Sequence, residues 1–243
     1  PSRRGAGLTC RSDPVVWVRA CSRGGLRPAG RRLRARVAWA VPGVCRGRGP
    51  GRAVAPFGSG VRRLLEAAAE VGVPRFIPSD YSIDYRGIRP HSNRNLQFRR
   101  DFAQRLDATE IRGTSILNGA FTDMLSGQAP LILFSRRRVL FWSDADQVLD
   151  FTTKDDTASY TAAAALDQRA PRVLQIAGDQ VTARTLAATM SDLTGTQFRL
   201  LYAGSVGSLT AMSRAVKALM PASDEPFPPW QGMQYFASMF SGD

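Results

Sequence analysis

The chain has 243 residues and a formal net charge of +13 at pH 7, with 44% hydrophobic and 9% aromatic residues. This length suffices for one large domain or two small ones, and the absence of an apolar run of about 18 residues argues against a transmembrane helix. The chain begins at Pro1 without a methionine and without the apolar stretch of a secretory signal, so we expect a cytoplasmic protein truncated at its start.

Almost all of the net positive charge lies in the first 60 residues. They hold 13 Arg, no Lys, one Asp and no Glu, and they contain no Ile, Met, Asn, Gln, His or Tyr. This composition is typical of GC-rich DNA translated in an unselected frame. We therefore interpret residues 1–58 as an aberrant Arg/Gly/Pro-rich segment that arises from a frameshift. We expect the segment to be irregular and to make few contacts with the rest of the chain.

An arginine-rich arm is the alternative interpretation of the same segment. Such an arm would bind phosphates with a strong dependence on salt, and Trp17 and Trp39 could stack on bases. A selected arm would normally use Lys as well as Arg, so we expect no nucleic-acid partner despite the basic N-terminus. The apolar runs around the two tryptophans are compatible with short strands.

From residue 61 the sequence alternates between helical and strand-like patterns. The predicted elements are a helix over 61–72 that stops at Gly72, a strand within 73–80 that ends in a Pro-Ser turn, a helix over 93–109, and a strand within 111–121 with Asn-Gly-Ala-Phe at its carboxyl end. The order helix, strand, helix, strand predicts parallel strands joined by right-handed crossovers.

Beyond residue 128 the order of elements changes. We predict strands within 129–134 and 137–144, a strand end and a helix over 150–166 with Asp155 or Asp156 at the helix start, a strand over 171–179, a helix over 182–195, a strand over 196–204, and helices over 205–220 and 230–240. The chain is therefore of the α/β class, and we expect its second half to contain a smaller lobe that packs on the first sheet.

Three segments of this body resemble a known family. They are LLEAAAEVGVPRFIPSDYS, ILNGAFTDML and LDFTTKDDTASYTAAAAL, and their order and spacing resemble the NmrA-like proteins, which are atypical short-chain dehydrogenases related to the isoflavone-reductase-like enzymes. The resemblance runs from about residue 61 to the end. It implies an incomplete Rossmann-type parallel sheet over 59–150, a C-terminal part over 151–243 that includes a smaller substrate lobe, and a cofactor, NADP or NAD.

The glycine-rich loop of this family is absent from the sequence. That loop binds the cofactor pyrophosphate at a helix N-terminus, where backbone N–H groups and the helix dipole favour negative charge. Neither G-x-G-x-x-G nor G-x-x-G-x-x-G occurs in the chain. The first 60 residues stand where the resemblance places the first strands of the fold, which favours the frameshift interpretation.

Two strand ends carry candidate ligand-binding residues, because open α/β sheets bind ligands beyond the carboxyl ends of their strands. The resemblance implies that the loops after these strands flank the nicotinamide and the substrate. It assigns Pro78, Ser79, Asn118 and Phe121 to the cofactor, and Asp80, Tyr81 and Asn95 to the substrate or ligand. The alternative is that Pro-Ser-Asp is an ordinary turn and Phe121 a core residue.

The catalytic residues are left open. Neither Lys154 nor Lys217 follows a tyrosine by four positions, which excludes the Tyr-x-x-x-Lys motif, and Asn95 stands where the resembling reductases carry a lysine. Possible acids near the site are Tyr81, Tyr85, Asp80, Asp84 and His91, and the cysteine spacing predicts no metal site.

These observations predict an NAD(P)H-dependent oxidoreductase acting on a small carbonyl or quinone-like substrate and impaired by the missing loop. A non-catalytic NAD(P)-sensing protein of the same fold is the alternative. The oligomeric state is left open.

Overall fold

The computed structural model describes residues 16–19, 38–39, 59–127, 129–220, 225 and 227–242. The helices are α1 (Ser59–Glu70), α2 (Arg94–Asp107), α3 (Lys154–Leu166), α4 (Ala183–Thr194), α5 (Val206–Leu219) and α6 (Pro229–Met239). The strands are β1 (Val16–Arg19), β2 (Ala38–Trp39), β3 (Arg75–Ile77), β4 (Arg112–Gly113), β5 (Ser115–Leu117), β6 (Ala120–Phe121), β7 (Ile132–Leu133), β8 (Arg138–Phe141), β9 (Leu149–Thr152), β10 (Val173–Ala177), β11 (Asp179–Val181) and β12 (Arg199–Tyr202).

The main sheet is parallel. Strand β3 pairs with β2 and β4, and β10 pairs with β1 and β5, all in parallel register. Strands β4 and β5 are halves of one extended segment, because only Thr114 separates them and its N–H donates to the Phe76 carbonyl at 3.1 Å. The strand order is therefore β2, β3, β4/β5, β10, β1, which is the parallel α/β sheet expected from the alternating elements.

Helices cover both faces of this sheet. Consecutive strand residues point to opposite faces, and Phe76 and Ile77 on β3 illustrate this. Phe76 packs with residues of α1 and α2, including Leu65 and Leu106. Ile77 packs instead with Ile116 and with Ala164 of α3. Burial on both faces explains why apolar residues occupy consecutive positions in these strands, as in Phe76–Ile77 and Ile116–Leu117.

The N-terminal segment contributes two of the paired strands. We expected residues 1–58 to be irregular with few contacts to the body, whereas β1 pairs with β10 and β2 pairs with β3. The apolar runs around Trp17 and Trp39 thus contain strands, as their composition allowed. The remainder of that expectation concerns residues outside the described part of the chain, and the frameshift interpretation stays a prediction.

Local signals explain where several helices begin and end. Helix α1 is closed by Gly72 at φ 64°, and the Val73 N–H donates to the Ala68 carbonyl at 2.9 Å, which forms a Schellman cap. Helix α3 starts after Thr153, whose hydroxyl accepts from the Asp156 N–H at 3.0 Å. The predicted acids, Asp155 and Asp156, lie in the first turn of α3, where the positive end of the helix dipole stabilises a carboxylate.

Two further three-stranded sheets, one of β6, β9 and β11 and one of β7, β8 and β12, form what we call the smaller part of the molecule. Strand β9 pairs with β6 in parallel and with β11 in antiparallel register, while β8 pairs with β12 in parallel and with β7 in antiparallel register. The predicted strand over 129–134 is shorter than expected, because Phe134–Arg136 forms a 3-10 turn followed by Arg137 in the left-handed region. Strand β11 was not predicted.

Helix α6 joins this smaller part to the main sheet. Its Phe236 stacks on Trp142 at 5.3 Å between ring centroids, inside the large apolar cluster of the smaller part. At its other end, the Gln231 side chain donates to the Asn93 carboxamide oxygen at 2.8 Å, next to the start of α2. Helix α6 therefore fixes the start of α2 against the smaller part.

Candidate functional site

A cleft lies beyond the carboxyl ends of β3 and β6. It has a volume of about 250 Å³ and is lined by Tyr81, Phe121, Lys154, Thr157, Ala158 and Thr161. We call it the Tyr81 cleft. Tyr81 comes from the loop after β3, Phe121 ends β6, and the other four residues belong to the first two turns of α3. The structure thus brings two of the predicted residues together with a helix face that the sequence analysis did not consider.

The polar wall of the cleft is supported from behind by Asn118. Thr157 donates its hydroxyl proton to the Thr153 carbonyl at 2.8 Å, so the Asn118 amide must be the donor in its 3.5 Å contact with the Thr157 hydroxyl. This orientation leaves the Asn118 carboxamide oxygen, which is fully buried, without a hydrogen-bond partner among the described residues. Such an acceptor is costly unless a donor reaches it.

Lys154 is the cation of the Tyr81 cleft. It is the first residue of α3, and its ammonium forms an ion pair with Asp123 in the turn after β6. The Lys154 side chain is 62% exposed, so the pair stabilises the fold little. Its position at the mouth of the cleft leaves the ammonium within reach of a polar ligand group.

Asp80 points away from the cleft into the protein. It is buried, and it accepts a hydrogen bond from the Tyr85 hydroxyl at 3.2 Å. Burial raises the pKa of Asp80, and Ser115 and the Arg99 guanidinium offset part of that effect. Burial and the neighbouring Asp80 also raise the pKa of Tyr85. Burial thus disfavours the charged form of both groups, and their hydrogen bond forms a buried anchor for the loop after β3.

Two other possible acids lie on the same loop, outside the Tyr81 cleft. Asp84 accepts from the Arg86 guanidinium in a 2.6 Å ion pair and from the Gln175 amide at 2.7 Å. His91 is exposed, and its backbone N–H donates to the Gln97 side chain at 2.9 Å. Neither residue lines the Tyr81 cleft.

A second cavity of about 320 Å³ lies between the main sheet and the smaller part. Its lining residues are Ile83, Asp84, Gly87, Leu117, Gly119, Gln147, Val148, Leu149, Asp150, Gln175, Ser238, Met239 and Gly242. Within the described ranges no group of His, Cys, Asp and Glu side chains is placed to hold a metal ion.

Several solved structures are similar to this fold. An isoflavone reductase matches with a TM-score of 0.59 and 17% identity, covering 77% of this chain and 59% of that one. A leucoanthocyanidin reductase from Vitis vinifera, in a binary complex with NADPH, matches with 0.56 and 15%, covering 73% and 57%. A quinone oxidoreductase from Escherichia coli, complexed with NADPH, matches with 0.53 and 19%, covering 74% and 59%.

The chain has the fold of these reductases. At such identities the likeness is one of fold, and the chain spans less than two thirds of the length of the three structures. No protein-family model matches the sequence, and no curated protein matches it significantly. The reductase fold confirms the α/β, Rossmann-type architecture and the fold-level resemblance to isoflavone-reductase-like enzymes.

Asn95 does not reach either cavity of this reductase fold. It is buried in the first turn of α2, and its carboxamide oxygen accepts from the Arg94 guanidinium at 3.2 Å. The Arg94 N–H next to it is capped by the Gln234 side chain of α6 at 3.0 Å. Asn95 therefore lies apart from the residues that line the two cavities, and a ligand role for Asn95 stays a prediction.

Pro78 and Ser79 form the backbone turn that leads from β3 into the Tyr81 loop. The Asp80 N–H donates to the Pro78 carbonyl at 2.9 Å, which makes a tight turn. Pro78 is buried and Ser79 is half-buried, and neither lines the Tyr81 cleft. Their cofactor role also stays a prediction.

Sequence reasoning missed the helix face that completes the cleft. Lys154, Thr157 and Thr161 were assigned only to a helix, although two buried threonines in an alanine-rich helix are a polar signal on an apolar face. One of the two, Thr161, is hydrogen-bonded with the Tyr81 hydroxyl at 3.3 Å across 80 residues of sequence. No local pattern indicates which loop such a helix face meets.

Proposed function

We propose that this chain is an NAD(P)H-dependent oxidoreductase acting on a small carbonyl or quinone-like substrate. The observation that carries the proposal is the Tyr81 cleft, which combines two aromatic side chains, two threonine hydroxyls and one ammonium at the carboxyl edge of a parallel sheet. Ligand sites in open α/β folds lie at this edge. Small-molecule sites are mostly apolar and carry a few convergent polar groups, as this cleft does.

The residues of the cleft fit the nicotinamide end of the cofactor. Phe121 and Tyr81 offer apolar walls to a planar ring. The Thr157 hydroxyl, whose proton is donated to Thr153, can accept from a carboxamide N–H, and Lys154 can donate to a carboxamide or substrate carbonyl oxygen. When it is bound, NAD(P)H supplies the hydride. The Lys154 ammonium can polarise a carbonyl oxygen, and the aromatic walls limit the access of water.

Contacts with the walls of the cleft can orient a substrate without Tyr-x-x-x-Lys chemistry. The same proposal includes a cytoplasmic setting and no nucleic-acid partner. Among the described helices none combines the length and the apolar character that crossing a membrane requires.

Turnover of NADPH with a quinone tests the proposal. We would follow NADPH oxidation by absorbance with menadione as acceptor, at millimolar NADPH because weak cofactor binding is expected. Phe121→Ala and Tyr81→Ala should lower the rate at least about tenfold if they wall the reacting ring. Phe134→Ala is the matched control, since Phe134 is an exposed phenylalanine outside the cleft. Equal rates in all four proteins would refute the assignment.

A non-catalytic NAD(P) sensor is the second candidate, and the position of Asn95 favours it. Asn95 is buried under α6 and stands where the reductases that this sequence resembles carry a lysine. The side chain at that position therefore cannot exchange a proton. A sensor would retain a partner protein in an NADPH-dependent way and would show no turnover. Turnover with menadione that depends on Phe121 would exclude it.

A further inference from the structure

The loop that carries Tyr81 is long and has no regular secondary structure. It runs over residues 78–93, between β3 and α2, and we call it the Tyr81 loop. Long ordered loops without secondary structure are uncommon and are often functional. Such a loop keeps one conformation only where side chains satisfy its backbone groups.

Two consecutive arginines on α2 hold the two halves of this loop. The Arg99 Nε donates to the Asp80 carbonyl at 2.6 Å, and its Nη1 donates to the Tyr235 hydroxyl of α6 at 3.2 Å. The Arg100 Nη2 donates to the carbonyls of Tyr85 and Ile88. Arg99 thus binds the half that carries Tyr81, and Arg100 binds the other half.

The carbonyl that Arg99 binds belongs to the peptide unit immediately before the Tyr81 Cα. Tyr81 has φ 28°, in a region that residues with a side chain rarely adopt. Such a conformation persists only where the surroundings fix it. Arg99 holds the preceding peptide oxygen, and Thr161 holds the phenolic hydroxyl at the other end of the side chain.

We propose that Arg99 is a positioning residue for the Tyr81 cleft. By holding the Asp80 carbonyl, it sets the backbone angle of Tyr81 and so keeps the ring against Phe121 and α3. A lysine cannot replace it, because one ammonium lacks the fixed fork of donors that serves Asp80 and Tyr235 together. The importance of this for turnover rests on the proposed function, but the positioning itself does not.

Fluorine NMR of the protein labelled with 3-fluorotyrosine tests the positioning directly. The chain has five tyrosines, and Tyr81→Phe assigns the Tyr81 resonance. In Arg99→Lys we expect this resonance to shift or broaden, while the resonance of the distant Tyr202 stays in place. The matched control is Arg100→Lys, in which the Tyr81 resonance should not move. An unchanged Tyr81 resonance in Arg99→Lys, or an equal change in both variants, overturns the proposal.

A rescue variant covers the case in which Arg99→Lys does not fold. Glycine adopts a positive φ without strain, so Tyr81→Gly removes the conformation that Arg99 is needed to hold. The double variant should therefore fold, and its loss of stability relative to Tyr81→Gly should be smaller than that of Arg99→Lys relative to the parent. An equal loss in both backgrounds means that Arg99 is a general scaffold residue, which contradicts the proposal.

An NADPH titration separates this proposal from the proposed function. Where the parent chain binds NADPH, Arg99→Lys should weaken binding about tenfold and Arg100→Lys should not, which is the effect of one misplaced contact. If Arg99→Lys binds NADPH as the parent does, the proposed effect of Arg99 on the cleft is wrong. If the parent itself does not bind NADPH, the proposed function fails, and the fluorine spectra still decide the role of Arg99.

Discussion

At the scale of single residues, burial of Asp80 in the Tyr81 loop makes the stability of the fold depend on pH. Because burial raises the pKa of Asp80, the folded protein keeps its proton at pH values where the unfolded chain has lost it. The contribution of Asp80 to stability is therefore complete below its ordinary pKa of 3.8 and is lost as pH rises through the folded value.

Asp80→Asn should remove this pH dependence, because an amide side chain is uncharged at every pH of the experiment. We expect the free energy of unfolding of the variant to fall less between pH 4 and pH 8 than that of the parent, in urea titrations across that range. Asp84→Asn is the control, because Asp84 forms an ion pair with Arg86 at the surface. A parent and an Asp80→Asn variant with parallel stability profiles would show that Asp80 is already ionised in the fold.

Gly119 shows how a single position constrains the site. Its φ is 67°, and a Cβ there would lie 2.3 Å from the Asp150 carbonyl oxygen. Gly195, the C-cap of α4, has φ 64° and open space around it. Gly195→Ala should cost about 1 kcal/mol for the backbone conformation alone. Gly119→Ala should lower the free energy of unfolding by several kcal/mol more than Gly195→Ala, or prevent folding. Urea unfolding of both variants measures the difference. Equal losses would mean that the β9 backbone moves aside freely.

At the scale of elements, the start of α2 depends on side chains from α6. The Asn93 oxygen accepts from the N–H groups of Asn95 and Leu96 and from Gln231, and its amide donates to the Ser238 hydroxyl at 3.3 Å. One buried side chain thus caps α2 and binds α6 to it.

Asn93→Ala should destabilise the protein by more than the roughly 1 kcal/mol typical of a lost N-cap, because it also leaves buried polar groups of α6 without partners. Thr182→Ala is the matched variant, since Thr182 caps α4 at an exposed position. Urea unfolding of both variants provides the measurement. A smaller loss in Asn93→Ala than in Thr182→Ala would contradict the role given to the buried cap.

The helices of this fold could be predicted from the sequence because their signals are local. Gly72 closes α1 and Thr153 precedes α3, and both are visible in a window of a few residues. Only part of the candidate site could be predicted from the sequence. Tyr81 and Phe121 follow strands and were found, whereas Thr161 reaches the cleft through packing of α3 on the sheet. That packing joins residues far apart in sequence, which no local period encodes.

At the scale of the whole molecule, the net positive charge and most of the described fold lie in different parts of the chain. The first 60 residues carry 13 of the 33 basic residues and only one of the 20 acids, so the remaining residues are close to neutral. The described fold lies almost entirely in that near-neutral part. The high isoelectric point is therefore weak evidence about function. Reading the coding DNA upstream of Gly58 in all three frames tests whether a glycine-rich strand–turn–helix was displaced.

The chain as printed should bind NADPH weakly. A glycine-rich pyrophosphate loop supplies charge-assisted hydrogen bonds, each worth roughly 1.5–3 kcal/mol, and neither glycine pattern of such a loop occurs in the sequence. The loss of two such bonds implies weakening on the order of 100-fold or more. Fluorescence titration with NADPH measures this, and a low-micromolar dissociation constant would show that another segment supplies the anion site.

The close approach of Gly119 to the Asp150 carbonyl has a practical consequence for anyone who diversifies this protein by random mutagenesis. The turn leaves no space for one extra carbon atom, so a library gains nothing by sampling position 119. Gly119 lines the second cavity, whereas Ala158 faces the Tyr81 cleft from an exposed turn of α3 and can accept larger side chains. Tolerance to substitution thus differs strongly between the two cavities, and selection for new activity has its freest position on the helix.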